Sequence, residues 1–245
     1  MYEEIHRVPR NVRYTIQTMV KITHPNHTAV PRNFCRLPQS YGVVKIGVSG
    51  SAETGMYGLA AYEKAKEIGR EIALQGAIIT TGATTGFPMY AAMGAKDECG
   101  FSVGLSPAAN EKEHVETYKL PLEYQDVIIY TGFGYAGRDL LFVRSSDAMI
   151  IGPGRVGTYN EFSVAFEDRR PIGILESDSW DTDDILREIV VSSHRPHEHV
   201  FFEKDPKVLV ARLIEMATKQ KEQLNLVYDN HDGWSGTGKK AEVIL

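Results

Sequence analysis

From Val43 onward, short apolar runs alternate with stretches whose apolar residues recur every three to four positions. Val43–Val48, Ala77–Thr80, Phe101–Leu105, Asp126–Tyr130, Ala148–Ile151, Pro171–Leu175 and His199–Phe202 have the length and β-branched character of buried strands. Between the first two, Tyr57–Gln75 carries Leu59, Tyr62, Ala65, Ile68, Ile72 and Ala73 at helical spacing. Further helices are predicted at about Phe87–Cys99, Ala136–Ser145, from Gly157 onward, Asp181–Val191 and Asp205–Gln223, while 106–123 reads as polar and irregular. Strands that alternate with helices in this way build a parallel sheet covered on both faces.

The pattern therefore predicts an α/β class: a Rossmann-like doubly wound parallel sheet over residues 43–223. Ligands of such open sheets bind beyond the carboxyl ends of the strands. Residues 1–42 differ in character, with Pro9, Pro25, Pro31 and Pro38, many basic residues and one alternating stretch, Val12–Ile22. They read as an arm that packs on the core or on a neighbouring subunit. Residues 224–245 read as a polar tail. Within it Gly233–Lys239 has the spacing of a phosphate-binding P-loop, but Lys240 stands where that motif needs Ser or Thr, and no apolar strand directly precedes it.

Composition narrows the function classes. A net charge of −5 disfavours nonspecific nucleic-acid binding, which relies on excess Lys and Arg. Cys35 and Cys99 are too few and too far apart for a disulfide framework or a zinc signature, which fits a cytoplasmic protein. No apolar run approaches the roughly 20 residues that span a bilayer. The start, Met-Tyr-Glu-Glu, lacks the basic and apolar regions of a signal peptide. Neither a nucleic acid nor a membrane is expected as a partner.

Four segments follow strands and are expected to converge on one sheet edge: Val48–Ser51, Thr80–Gly86, Thr131–Arg138 and Gly152–Glu161. Glycines there permit close backbone approach to an anion, and hydroxyls add donors. The start of a helix offers unpaired N–H groups and a positive dipole end, a natural seat for phosphate. Gly50, Ser51, Thr81, Gly82, Thr85, Gly86, Gly154, Arg155, Gly157 and Thr158 are thus the candidate phosphate- or nucleotide-binding residues. Arg138 adds a planar donor fork, and Glu161, in the first turn of the helix, adds a carboxylate. An early-turn acid also stabilises its own helix by about 0.3–1 kcal/mol, so Glu161 has a structural alternative. Tyr41, Tyr57, Phe87 and Tyr135 either stack a base or pack on the sheet. His24 and His27, and His194, His197 and His199, stand beside prolines without nearby cysteines and read as solvated loop histidines, with no metal site expected. Asp181–Asp184 reads as a helix cap, and Asp147 as structural.

The order of these motifs resembles the SLOG superfamily, and within it the LOG (Lonely Guy) nucleotide phosphoribohydrolases. That family carries Pro-Gly-Gly-x-Gly-Thr-x-x-Glu after a strand, with an arginine some fifteen positions earlier. The matching segment here is Pro153-Gly154-Arg155-Val156-Gly157-Thr158-Tyr159-Asn160-Glu161, preceded by Arg138, and the resemblance covers about Val43–Leu175. Arg155 replaces the motif's second glycine, and Thr80-Thr81-Gly82-Ala83 replaces a tyrosine followed by three glycines. Thr131-Gly132-Phe133-Gly134 is closer to the molybdenum-cofactor carrier branch.

The resemblance implies that Arg138 and Glu161 are the catalytic pair and that Gly157 and Thr158 hold phosphate. The implied reaction is hydrolysis of the N-glycosidic bond of a nucleoside 5′-monophosphate, giving free base and ribose 5-phosphate. It needs no cofactor and is carried out by a homodimer. The alternative is a non-catalytic binding protein or carrier for a nucleotide or phosphorylated cofactor. Hydride transfer with a dinucleotide is disfavoured, because the first loop lacks Gly-x-Gly-x-x-Gly.

Overall fold

Among the described residues, seven strands form one all-parallel sheet: β1 (Lys45–Ser49), β2 (Ile78–Thr81), β3 (Ser102–Ser106), β4 (Val127–Tyr130), β5 (Ala148–Ile151), β6 (Ile172–Leu175) and β7 (Val200–Glu203). The computed structural model describes residues 43–53, 55 and 57–223. The expected arm, with Val12–Ile22, His24, His27 and Tyr41, lies outside the described residues, as does the tail with Gly233–Lys239. The helices are α1 (Gly58–Leu74), α2 (Phe87–Asp97), α3 (Glu111–Glu116), α4 (Gly134–Ser145), α5 (Val156–Glu167), α6 (Thr182–Ser192) and α7 (Pro206–Gln223). All seven strands and the six long helices fall where the hydrophobic pattern predicts them, and the fold is the doubly wound α/β class.

The strand order is β4-β3-β2-β1-β5-β6-β7, so the connection reverses direction between β1 and β5. Beyond the carboxyl ends of those two strands a crevice must open, because successive helices depart to opposite faces. The sheet is buried on both sides by its own period-2 alternation. On β5, Ala148 and Ile150 join Ile68 and Ile72 of α1, Ala91 of α2 and Leu209 and Leu213 of α7. Met149 and Ile151 join Phe142 of α4, Phe162 and Phe166 of α5 and Leu186 of α6 on the other face. Each fully buried Ile or Phe contributes on the order of 1.5–3 kcal/mol.

Helices α1 and α2 touch backbone to backbone. A β-carbon on Gly69 would lie 1.8 Å from the Ala91 carbonyl oxygen, and one on Gly94 would lie 1.9 Å from that of Lys66. Only glycine permits this approach, which draws the two helices together over β1 and β2. At the opposite end of the sheet Asp147 accepts from the Lys45 backbone (2.8 Å) and from Lys221 Nζ of α7 (2.9 Å), with Lys45 Nζ at 3.1 Å. This fastens the last helix to the central strands, in keeping with the structural reading of Asp147.

Helix α3 lies in the stretch expected to be irregular. Asn110 caps it, its Oδ1 accepting from the Glu113 amide at 2.9 Å, and Glu113 Oε2 accepts in return from the Ala109 amide at 2.8 Å. Six residues are too few to produce a periodic signal, although Asn110 and Glu113 have the spacing of a helix start. Buried His114 pins the segment: its Nε2–H donates to the Pro121 carbonyl at 2.9 Å, and its Nδ1 accepts from the Ser106 hydroxyl at 2.8 Å.

Candidate functional site

Two turns face each other across the crevice, and backbone bonds clip them together. The Gly152 amide donates to the Ser49 carbonyl at 2.9 Å, and the Ser51 amide to the Pro153 carbonyl at 2.7 Å. The ring of Phe87 is wedged beneath both. A β-carbon on Gly50 or Gly152 would lie 2.8 Å or 2.4 Å from its atoms, so the turns sit directly on the ring. Phe87, a candidate for base stacking, is thereby buried to 1% exposure and closed to ligand. Thr182, at the start of α6, clamps the second turn from behind: its hydroxyl accepts from the Gly154 amide (3.0 Å) and donates to the Gly154 carbonyl (3.1 Å). Tyr57 Oη donates to the same carbonyl at 3.0 Å, which makes Tyr57 a strut for the turn.

Helix α5 starts at Val156, with Arg155 as its extended N-cap residue making no side-chain cap bond. Its first backbone bond runs from the Tyr159 amide to the Arg155 carbonyl at 3.0 Å. The amides of Val156, Gly157 and Thr158 therefore have no protein acceptor among the described residues, and they carry the positive end of the helix dipole. Because the helix begins before Gly157, Glu161 belongs to its second turn, and no acid occupies the first. The expectation of a first-turn acid fails for that reason, and with it the helix-dipole role. Glu161 instead points inward, to the floor of the crevice.

On that floor lies a buried polar cluster. Glu161 Oε2 accepts a hydrogen bond from the Ser49 hydroxyl, at the end of β1. Glu161 Oε1 lies 3.6 Å from Arg138 Nη1, and Arg138 Nε lies 3.5 Å from Asp139 Oδ1. Asn160 donates to Asp139 Oδ2 at 2.9 Å. Arg138, Asp139 and Glu161 are each 7% exposed or less. Burial pushes the Glu161 carboxyl up to about 7; the Arg138 charge opposes the rise and the Asp139 carboxylate adds to it. Arg138 Nε is buried without a hydrogen-bond partner among the described residues.

Above this floor is a cleft of about 210 Å³. Of the residues singled out in the sequence, Gly50, Ser51, Gly82, Arg138, Arg155, Gly157, Thr158 and Glu161 line it. Thr81, Thr85, Gly86 and Gly154 do not. Thr81 is fully buried, its hydroxyl accepting from the Ala83 amide (3.2 Å) and from Gln125 Nε2 (3.0 Å). Thr85 donates to the Ala52 carbonyl at 2.5 Å, and the Gly154 amide belongs to Thr182. Gly86, at φ +70°, turns the chain into α2 beside the Ser51 carbonyl, where any β-carbon would stand 2.1 Å from the oxygen. These four shape the loops around the cleft.

Ser49, Asp139, Thr84 and Thr182 belong to or support the site and were not among the candidates. Ser49 lies in the Val48–Ser51 segment and Asp139 adjoins Arg138, so adjacency is the signal the sequence holds for them. Thr182 takes on the clamp while Asp181, in the cap position, makes no side-chain cap bond; Asp183 and Asp184 supply the first-turn acids. Tyr135 remains at the mouth, half exposed, its ring centroid 5.9 Å from the Arg138 guanidinium carbon. His199 is not a solvated loop histidine. It is half-buried against the Phe166 ring at 5.1 Å, neither ring nitrogen has a hydrogen-bond partner among the described residues, and desolvation lowers its pKa. No group of three or more His, Cys, Asp or Glu suited to a metal occurs among the described residues.

The model of the SLOG cluster4 family matches residues 43–210, which include every strand and the whole cleft. An uncharacterized protein of Archaeoglobus fulgidus is 29% identical over 134 residues, 55% of this chain and 81% of that protein. Among solved structures, the molybdenum cofactor binding protein of Rippkaea orientalis superposes with a TM-score of 0.57 at 23% identity, covering 71% of this chain and 96% of that one. DNA processing protein A of Helicobacter pylori, described with a single-stranded DNA binding mode, superposes with a TM-score of 0.51 at 17% identity, covering 71% of this chain and 81% of that one. At these identities the likeness is one of fold.

Proposed function

We propose that this chain, which belongs to the SLOG cluster4 family, binds a nucleoside 5′-monophosphate and hydrolyses its N-glycosidic bond to free base and ribose 5-phosphate. The observation that carries the reading is the placement of the Glu161 carboxylate. It lies buried against Ser49 and Arg138, below a helix start with three unpaired amides.

Phosphate seats on the amides of Val156, Gly157 and Thr158, the arrangement by which helix starts hold anions. The ribose then lies over Glu161. As the C1′–N bond breaks, its electron pair passes to the base and positive charge develops on the ribose ring. The Glu161 carboxylate offsets that charge and takes the proton of the attacking water, whose oxygen bonds to C1′. The base departs with the electron pair of the broken bond and is protonated by solvent, to which Glu161 returns its own proton. A carboxyl at about 7 exists in both forms near neutrality, which suits a group that accepts and returns a proton. Ser49 holds one carboxylate oxygen and Arg138 the other, so the group is oriented before substrate arrives. Tyr135, at the mouth, is positioned to stack on the base.

A second reading draws on Arg155, which lines the cleft where the hydrolase motif has glycine, and on the fold shared with the Rippkaea orientalis molybdenum cofactor binding protein. In that reading the same cleft holds a phosphorylated ligand without cleaving it. Release of free base from adenosine, guanosine, cytidine and cytokinin monophosphates, with the nucleosides as controls, separates the two. Release from monophosphates alone establishes the hydrolase. Silence across the panel, with the monophosphates still raising the melting temperature, establishes the carrier.

A further inference from the structure

We infer that Arg155 and Glu53 form a displaceable ion pair that makes the cleft selective for ligands ending in a phosphate dianion. The inference rests on the reading that phosphate sits at the start of α5. Arg155 Nη2 donates to Glu53 Oε1, joining the β5–α5 turn to the β1–α1 loop at the cleft. Arg155 is also the N-cap residue of α5, so its side chain originates beside the three unpaired amides.

Both partners are about half exposed, at 51% and 58%, and exposed pairs of this kind are weak and screened by salt. Only one hydrogen bond joins them, which leaves most of the five guanidinium donors uncommitted. A phosphate dianion offers several acceptor oxygens in the geometry the fork matches, and it carries more charge than a carboxylate. Seated on the α5 amides it outcompetes Glu53 for Arg155. A neutral nucleoside cannot, and leaves the pair in place. Glu53 meanwhile keeps its backbone anchored, because its amide donates to the Ser51 hydroxyl at 3.2 Å. Its side chain can therefore leave without unravelling the loop. Glu53 thus competes with the ligand's anion for Arg155, and the ligand must displace it from that side chain.

The test is a double-mutant cycle on the full chain, with adenosine 5′-monophosphate and adenosine as probes in titration calorimetry. Glu53→Gln removes the competitor, and the monophosphate is expected to bind roughly threefold to tenfold tighter. Arg155→Gln is expected to weaken it roughly tenfold or more, and in that background Glu53→Gln is expected to change nothing beyond about twofold. Neither substitution is expected to alter adenosine binding. Both side chains are exposed, so melting temperatures should stay near wild type, which separates binding from folding. If wild type binds the monophosphate but Glu53→Gln binds it no tighter, the ion-pair inference falls while the phosphate reading stands. If wild type and Glu53→Gln both fail to bind it, both fall.

Discussion

The Arg138 guanidinium occupies the space that a β-carbon on residue 82 would require: such an atom would lie 1.6 Å from Nη1. Gly82 in the β2–α2 loop is therefore the seat of the arginine, and the arginine in turn faces Glu161. Gly82→Ala is expected to expel Arg138 from its place, costing about 1–3 kcal/mol of stability through overpacking. Monophosphate turnover should fall by roughly two orders of magnitude, since a misplaced group near the reacting centre has that effect. Base release measured beside thermal melting checks it. Turnover near wild type would show that Arg138 does not position Glu161.

Glu161 links pH to both turnover and stability. Its folded pKa, about 7, lies above the usual carboxyl value, so the protonated form is the one that folding favours. That contribution is fully present below the ordinary value of 4.5 and is lost as the pH rises through about 7. Glu161→Gln mimics the protonated side chain. It is expected to melt near wild type at pH 5 and above it at pH 8. The same variant should lose base release while retaining monophosphate binding. Wild-type turnover should rise with pH through about 7, as the carboxylate form becomes available to take the proton of water. Equal activity of Glu161→Gln and wild type would remove the residue from the mechanism.

The fold was legible because its signal is repetitive. Seven apolar runs and six amphipathic stretches each state their own type, and alternation of the two leaves few topologies. The convergence of Gly50, Gly82, Arg138, Gly157 and Glu161 on one cleft followed from that topology, since every loop involved leaves a strand at the same edge. What stayed hidden depended on distance across the fold. Nothing in Thr81-Gly82-Ala83 announces that the glycine makes room for an arginine far along the chain, or that the threonine faces the interior. Thr182 is separated from Gly154 by 28 positions, yet its hydroxyl bonds both the amide and the carbonyl of that glycine. Glu161 shows the sensitivity to boundaries: with α5 starting at Val156, it moves from a first-turn acid to a buried carboxylate of the second turn.

Asp147 is expected to hold the opposite end of the sheet. Burial raises its pKa, but the hydrogen bonds from Lys221 and Lys45 outweigh that and hold it below the ordinary value. Its contribution is present above the ordinary value near 3.8 and is lost as the pH falls through the lower folded value. Asp147→Asn should cost about 1–3 kcal/mol near neutrality, because two partly buried lysines lose their counter-charge. Denaturant unfolding at pH 7 checks the size. The difference between variant and wild type should narrow as the acid limb is approached. A constant difference across that range would show that the charge of Asp147 is not what stabilises the fold.

The edge strand β4 bears on assembly. Val127 and Ile129 pair in register with Val103 and Leu105, so they share the face of the sheet that α4 covers. Beyond α4 that face ends, leaving Val127 44% and Ile129 49% exposed, with Leu140 and Leu141 of α4 each more than a third exposed. An apolar strip along an edge strand with no further neighbour among the described residues invites association, and none of its four side chains carries a charge that would discourage it. We propose that a second copy of this chain covers it, in an isologous dimer where the strip meets itself. Wild type is expected to scatter light as a dimer at micromolar concentration. Ile129→Lys should scatter as a monomer, with melting lowered by the loss of linkage between folding and association. A monomeric wild type would rule the dimer out, and a dimeric Ile129→Lys variant would move the interface to another face.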